Sequence, residues 1–401
     1  MKRSLTVIYA AIMLDSIGIG LIFPILPTLL KSVAGSAEVA SLIGTMAALY
    51  AAMQFLFSPL LGMLSDRYGR RPILLLSMAG AVINYLFLAF APVLWMLFLG
   101  RAIAGVTSAN MAVAGAYIVD VSAESERAKR FGVVSAMFGA GFILGPVVGG
   151  ALGDHWLRLP FLAAAALNGI NLLLAFVFLP ESRAQDTQPI RLASLNPLRP
   201  LEWAIAEKNL KPFLLLFFIF SATGEAYGTC WALWGQDSFH WNGLWIGLSL
   251  GTFGICQTAA QAFLPGPAIR WFGERRTVLF GIFGVSVALL LMALASHGWM
   301  VFALMPLFAL GGIGAPTLQS LATRQVDNDR QGQLQGVLAS IVSLASIVGP
   351  LIFSTAYLAI RNQWPGGIWL LVIVFYAIAA VIVCLLRFGQ PQALQTTADR
   401  P

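Results

Sequence analysis

The chain consists of long apolar runs that alternate with short polar loops. Most runs reach the length of about 20 apolar residues that a helix needs to cross the hydrocarbon core of a membrane. The pattern predicts an all-α membrane protein with twelve spanning helices. The predicted helices lie near residues 6–29, 39–64, 72–91, 93–119, 131–153, 159–179, 212–234, 243–265, 276–295, 298–320, 332–358 and 364–387.

A polar segment with four prolines interrupts this alternation near residues 180–211. It divides the chain into two halves, each with enough apolar runs for six helices. The first run is too long for the apolar part of a signal peptide, so we expect it to remain as a helix. The predicted regions are an N-terminal six-helix bundle over 1–179, a cytoplasmic linker over 180–211, a C-terminal six-helix bundle over 212–390 and a cytoplasmic tail over 391–401.

The two halves repeat each other at a constant offset of 204 positions. This offset indicates that a six-helix unit was duplicated. Parallel repeats of this kind enclose the substrate between them near the bilayer midplane, where we expect the site. The coinciding residues are Gly62 with Gly266, Gly69 with Gly273, Arg71 with Arg275, Gly132 with Gly336, and the pair Gly145-Pro146 with Gly349-Pro350.

Composition indicates that most of the surface faces lipid. Charged residues make up only 10% of the 401 positions, whereas soluble domains carry roughly a quarter. Twenty of the 24 basic residues fall on one side of the predicted helices, and only Lys31, Arg158 and Arg361 fall in loops on the other. The asymmetry predicts that both termini are cytoplasmic. No basic cluster lies beside exposed aromatic residues, so the net charge of +7 does not indicate nucleic-acid binding.

Three ionisable residues lie well inside predicted helices: Asp15, Arg101 and Glu225. Such residues are costly in a membrane interior and are candidates for function by default. We expect Asp15 and Glu225 to bind the coupling protons and Arg101 to act as a fixed charge. A structural ion pair between Asp15 and Arg101 is the alternative.

Polar and aromatic residues on neighbouring predicted helices could line a substrate cavity together with Arg101. Hydrogen bonding between helices would also explain Tyr50 and Gln54, and anchoring at the membrane interface would also explain Trp231. These candidates are Tyr50, Gln54, Tyr227, Trp231, Gln257 and Gln261.

The loop between the second and third predicted helices reads Gly62-Met-Leu-Ser65-Asp66-Arg-Tyr-Gly69-Arg70-Arg71. Glycine permits a tight reversal, and an aspartate can accept hydrogen bonds from arginines and helix N-termini. The segment resembles the G-x-x-x-D-R-x-G-R-R signature of the major facilitator superfamily. The resemblance implies a gating role for Ser65, Asp66, Arg70 and Arg71.

Three charges around this loop reverse sign at the 204-residue offset. The reversal would suit two cytoplasmic rims that attract each other when the molecule closes. We therefore include all six residues among the gating candidates. Asp66 falls on Arg270, Arg70 on Glu274, and Asp120 on Arg324.

The fifth predicted helix carries Gly141, Gly145, Pro146 and Gly149. Glycines at every fourth position form a smooth face that another helix can approach closely, and proline favours a bend. The pattern resembles the antiporter motif of proton-coupled drug exporters. Close packing alone is the other explanation.

Longer segments resemble the Gram-negative tetracycline/proton antiporters, namely residues 14–27, 48–54, 94–101 and 261–263. The resemblance implies roles for Asp15, Gln54, Ser65, Asp66, Arg70, Arg101 and Gln261. At three positions where that family carries titratable groups, this chain has Asn84, Gln257 and Val285. We therefore place Asn84 among the cavity residues and expect neutral or cationic amphipathic substrates, transported without a metal chelate.

These features predict a secondary active exporter in the bacterial inner membrane. It would exchange protons for an amphipathic, drug-like molecule and so confer antibiotic resistance. No G-x-x-x-x-G-K-[ST] segment occurs, so we expect neither ATP hydrolysis nor another enzyme activity, and no metal or cofactor. We also expect a functional monomer. The alternatives are a proton-coupled transporter of a cellular metabolite and a non-transporting membrane sensor.

Overall fold

A computed structural model describes residues 2–35, 38–108, 110–182, 203–204, 207, 210–326 and 330–385. Most of the linker predicted over 180–211, and all of the tail predicted over 391–401, lie outside the described residues. The described part is almost entirely α-helical and contains no β-strand. The predicted all-α membrane architecture is therefore confirmed.

The described residues of the first half form eight helices, which make six crossings. The first crossing combines α1 with α2, and the fourth combines α5 with α6. The helices are α1 Lys2–Ile22, α2 Leu26–Ala34, α3 Val39–Tyr68, α4 Arg70–Phe90, α5 Leu94–Val106, α6 Asn110–Asp120, α7 Glu124–His155 and α8 Leu159–Phe178.

The second half makes six crossings in the same order. Its helices are α9 Lys211–Phe239, α10 Gly243–Phe263, α11 Pro265–Ala293, α12 Gly298–Ala309, a 3₁₀ helix Leu310–Ile313, α13 Gly314–Thr323, α14 Gln331–Ile360 and α15 Gly367–Leu385. Within the described ranges, eleven helical segments are long and apolar enough to cross a membrane. The 21-residue helix α10 lies between two of them and completes the twelve.

Two predicted helices are interrupted, and the interruptions coincide in the repeat. The fourth crossing breaks between Val106 and Asn110, and the tenth passes through the 3₁₀ helix Leu310–Ile313, which lies 204 positions later. Two glycines in that 3₁₀ segment lower its helix propensity. The first crossing also breaks near Pro24, which has no N–H to donate. The spans predicted over 93–119 and 298–320 each correspond to one membrane-spanning segment, Leu94–Asp120 and Gly298–Thr323, with a local interruption of the helix. The helix predicted over 6–29 ends at Ile22 and resumes at Leu26.

The repeat is also visible in the backbone where the third helix of each half begins. Gly69 has a φ of 103° between α3 and α4, and Gly273 has a φ of 75° at a kink inside α11. Only glycine adopts such angles without steric penalty. The chain therefore changes direction at equivalent positions of the two halves, through a glycine with positive φ in each.

The halves meet along two pairs of helices. Helix α7 packs along α10, and α3 packs along α14. On α7 these contacts involve the C-terminal part, where Gly150 abuts Gly243 and Pro146 abuts Gly247. We call the end of the molecule that contains the C-terminus of α7 the closed end, and the end that contains the Gly62–Arg71 loop the motif end.

Candidate functional site

Hydrogen bonds join the two halves at the closed end. The Asp154 carboxylate, at the end of α7, accepts the backbone N–H groups of Gly243 and Leu244 at 2.9 Å each. These groups belong to the first turn of α10, where the helix dipole also favours a negative charge. Lys31 of the first half donates to Gln236 of the second half at 3.4 Å. Together these contacts shut this end of the interface.

A cavity of about 550 Å³ lies between the halves, with most of its lining from the second half. We call it the larger cavity. Its volume is typical of pockets for drug-sized molecules. The lining of α10 continues to Gln261, an exposed residue near the C-terminus of that helix at the motif end. The larger cavity therefore extends toward the motif end, whereas the contacts described above shut the closed end.

Four residues predicted for a substrate cavity line the larger cavity: Tyr227, Trp231, Gln257 and Gln261. Trp231 is only 2% exposed, and its ring N–H donates to Ser249 at 2.9 Å. A residue so deeply buried does not act as an anchor at the membrane interface. Val285, the third position that departs from the resembled family, also lies in this wall.

Glu225 is the only carboxylate that lines the larger cavity, within the described part of the chain. One of its oxygens accepts the hydroxyl of Ser346 on α14 at 2.6 Å. Gly349, one turn further along α14, lies against the Glu225 side chain, and a Cβ there would come within 3.0 Å of it. The carboxylate is therefore held directly against α14, the helix that packs on α3 of the other half.

A smaller cavity of about 130 Å³ lies mainly in the first half, nearer the closed end. Three predicted site residues among its lining carry charge or an amide: Asp15, Asn84 and Arg101. Asn110 also lines this cavity, beside Asp15. The amide oxygen of Asn84 is buried without a hydrogen-bond partner. Polar groups thus converge here as they would in a binding site.

Arg101 and Asp15 share the smaller cavity but form no ion pair with each other. The guanidinium of Arg101 instead lies over the ring of Tyr50, 4.5 Å from its centroid. Its Nε atom is buried without a hydrogen-bond partner. The alternative of a structural Asp15–Arg101 ion pair therefore does not describe this conformation.

Gln54 lies beside the smaller cavity but does not line it. Its amide donates to Ser108 at 3.0 Å, and the Tyr50 hydroxyl is 2.8 Å from the same Ser108 oxygen. Both residues therefore connect α3 to the break between α5 and α6. For Gln54 the explanation by hydrogen bonding between helices fits better than contact with a substrate.

The two cavities are adjacent and share lining residues. Phe23, in the turn between α1 and α2, borders both, and so does Gly228 of α9. Absence of a side chain at Gly228 leaves room beside the Phe23 ring, since a Cβ there would lie 3.2 Å from it. Glu225 and Asp15 therefore line two adjacent cavities that share Phe23 and Gly228 as wall residues.

At the motif end of the first half, Arg70 is enclosed by acceptor groups. Its side chain is only 8% exposed and contacts Asp66 at 2.8 Å and Asp120 at 3.1 Å. It also donates to the Ser65 hydroxyl at 3.0 Å. Four predicted gating residues thus form one network inside the first half.

The second half repeats this pair with its charges exchanged. Arg324 contacts Glu274 at 2.7 Å, and both pairs span 50 positions of sequence. The reversed signs therefore preserve an ion pair inside each half. Attraction between the rims of opposite halves stays a prediction.

The remaining gating candidates lie around these two pairs. Arg71 donates to the Phe176 carbonyl at 2.6 Å, and its repeat equivalent Arg275 donates to the Cys384 carbonyl. Each bond ties the loop to the last helix of the same half. Arg270 is exposed.

The predicted antiporter motif faces two partners. Gly141, Gly145 and Gly149 lie against the backbone of α1, where any Cβ would collide with main-chain atoms. Gly150 contacts α10, and Pro146 contacts both helices, with its ring against Gly20 of α1 and its carbonyl against Gly247 of α10. Close packing thus explains the glycine spacing, and the adjoining face of the same helix forms the contact between halves.

Comparisons with known proteins agree with this architecture. The chain matches the Major Facilitator Superfamily over residues 8–250 and again over residues 213–401. It is 46% identical over 384 residues to the tetracycline resistance protein, class C, of Escherichia coli, covering 96% of each chain. The chain belongs to the Major Facilitator Superfamily, among the tetracycline resistance proteins.

Other relatives place this superfamily member in the same group. The tetracycline resistance protein, class G, of Vibrio anguillarum is 42% identical over 386 residues, covering 96% of this chain and 98% of the relative. The solved structure of the nucleoside transporter NupG matches with a TM-score of 0.80 at 12% identity, covering 96% of this chain and 98% of that one. That likeness supports the transporter fold.

Sequence reasoning missed four residues of the site. Asn110, Ser346 and Asp154 belong to no motif in the sequence. Glu181 accepts the backbone N–H groups that begin α4, at 2.7 Å from the nitrogen of Arg70. A Pro-Glu step where the first half ends is the one signal that could have pointed to it.

The contacts of Arg70 at the motif end can be tested by their contribution to stability. Asp66 is 51% exposed whereas Asp120 is 22% exposed. Asp66→Asn should therefore lower the free energy of unfolding by about 0–1 kcal/mol. Asp120→Asn should lower it by about 1–3 kcal/mol, because it leaves the buried Arg70 with one fewer partner.

Denaturant unfolding in detergent would measure both effects. Glu126→Gln is the matched control, since that residue is 55% exposed and pairs with Arg130 on the surface. Equal losses of unfolding free energy in Asp66→Asn and Asp120→Asn would contradict the conclusion that Asp120 is the more important partner of Arg70.

Proposed function

We propose that this protein is a proton-driven efflux transporter of the bacterial inner membrane. It exchanges protons for an amphipathic small molecule by alternating access, and tetracycline is the first candidate substrate. The near-complete alignment with proteins named for tetracycline resistance, at 46% and 42% identity, carries the proposal.

The two cavities supply the parts that such an exchange needs. Glu225 and Asp15 are carboxylates inside the membrane, and each can bind a proton. The larger cavity has the size of a drug pocket and aromatic walls for an amphipathic molecule. The smaller cavity adds Arg101 as a fixed charge near Asp15.

The arrangement of the halves corresponds to one state of the cycle. With the motif end in the cytoplasm, as the distribution of basic residues indicates, the larger cavity faces the cytoplasm and the Asp154 contacts close the outer side. Rocking of the bundles 1–179 and 212–390 would open the outer side. The rim residues would then meet and stabilise the opposite state.

A susceptibility panel tests this function in cells that lack their main drug exporters. Expression of the protein should raise the tolerated concentration of at least one tetracycline or other amphipathic drug. Addition of a protonophore should restore drug accumulation to the level of the empty vector. Unchanged susceptibility to every drug, with the protein present in the membrane, would contradict drug efflux.

A further inference from the structure

The larger cavity has an uneven chemical lining. Its described lining contains one carboxylate, Glu225, and no lysine, arginine or histidine. The amide oxygen of Gln257 is buried there without a hydrogen-bond partner. A ligand that complements this wall must bring donors or positive charge, because acceptors left unpaired in a membrane interior are costly.

Glu225 lacks a cationic partner in the described structure. Among the described residues, its side chain has one hydrogen-bond partner, the Ser346 hydroxyl, which donates to a single oxygen at 2.6 Å. The other oxygen remains available to a ligand in the cavity. The arginine predicted inside the membrane, Arg101, lines the other cavity and lies over the ring of Tyr50.

Aromatic rings line the same cavity as this carboxylate. Tyr227 packs edge-on against Phe308 with centroids 4.9 Å apart, and Trp231 stacks on Phe308 at 5.9 Å. Tyr227 and Tyr376 also line the cavity, with their hydroxyls 3.3 Å apart. Aromatic faces attract organic cations as well as apolar surface.

We infer that the larger cavity recognises an organic cation, whose charge is neutralised by Glu225 and whose apolar body lies against the aromatic wall. The inference rests on the proposed efflux function and names the substrate class. Ser346 is a positioning residue: its hydroxyl holds one carboxylate oxygen against α14 and leaves the other directed to the ligand. No metal is needed for this recognition, because the ligand itself carries the charge.

Equilibrium binding of tetraphenylphosphonium to the purified full-length protein in detergent tests the inference. This permanent cation cannot gain or lose a proton, and EDTA in the buffer excludes metal bridging. It should bind saturably, whereas tetraphenylborate, an anion of the same shape measured in a separate experiment, should not. Absence of saturable cation binding, or equal affinity for the anion, would overturn the inference.

Variants assign the binding to the named residues. Glu225→Gln should weaken binding by about tenfold or more, since it removes the charge partner, while Glu225→Asp should retain most of it. Ser346→Ala should weaken binding by about threefold, and Ser346→Thr should restore it. Ser343→Ala is the matched control, because that hydroxyl only bonds its own helix at Ala339.

The outcomes separate this inference from the efflux function itself. Tetracycline efflux without tetraphenylphosphonium binding would overturn cation recognition and leave the transport function standing. Full cation affinity in Glu225→Gln would likewise overturn the assignment to this carboxylate. Cation binding in a protein that moves no drug would count against the proposed function instead.

Discussion

Replacing Glu225 by glutamine should reduce proton-driven uptake into inverted membrane vesicles by about 100-fold. Glutamine keeps the size of the side chain and can still bond Ser346, but it cannot bind and release a proton. A carboxylate in contact with both the larger cavity and α14 is well placed to link proton binding to movement of the halves. The measurement is substrate accumulation driven by an imposed pH gradient.

Two controls make this result specific. At saturating substrate, the Glu225→Gln protein should still exchange labelled for unlabelled substrate, since that reaction needs no net proton movement. Glu225→Asp should recover part of the driven uptake. Undiminished pH-driven uptake by Glu225→Gln would remove this residue from the coupling mechanism.

Gly150→Ala should lower the population of the state in which the closed end is shut, and it should slow transport. A Cβ at Gly150 would collide with the carbonyl group of Gly243, whose N–H is held by Asp154. Overpacking of this kind costs about 1–3 kcal/mol, which is enough to change a two-state population by roughly 5- to 150-fold.

Distances between spin labels would report this shift directly. Labels at the exposed residues Glu38 and Asn362 lie in opposite halves at the closed end, in a chain whose three native cysteines are replaced. The distance distribution should move to longer values in Gly150→Ala. Gly139→Ala is the matched control on the same helix, because a Cβ there meets no atom within 4 Å. Identical distributions in the two variants would contradict the role of this contact.

Hydrophobic length and the internal repeat were sufficient to predict the architecture. Twelve crossings and two related halves follow from apolar runs and from a constant offset, and neither depends on side-chain detail. The cavity residues were also largely predictable, since Asp15, Arg101 and Glu225 have few stable positions in a membrane except facing a cavity. The structure places all three along the cavity walls.

Other features depend on packing that periodicity does not record. The break after Val106 lies in a predicted helix with no proline, where Gly105, Thr107, Ser108 and Asn110 are only weak local signals. Ser346 becomes important only because α14 lies beside α9. The side of α7 that meets the other half could not be read from a stripe of glycines, because its two faces have different partners.

The charge reversal between the halves is compatible with two structural explanations. Opposite signs at equivalent positions were interpreted as attraction between the rims. The structure uses them first to keep Arg70 paired with Asp120 and Glu274 paired with Arg324. When both partners of an ion pair exchange their charges, the pair is preserved. A sequence analysis should therefore test for a pair within each half before it predicts contacts across an interface.

Transport of a drug in exchange for protons is tested most directly with the protein reconstituted in liposomes. An acidic interior should drive accumulation of labelled tetracycline, or of the drug that the susceptibility panel identifies, above the level in protein-free liposomes. Nigericin, which collapses the pH gradient, should release the excess. Accumulation that is unaffected by nigericin, or that equals the protein-free level, would contradict proton-driven antiport by this protein.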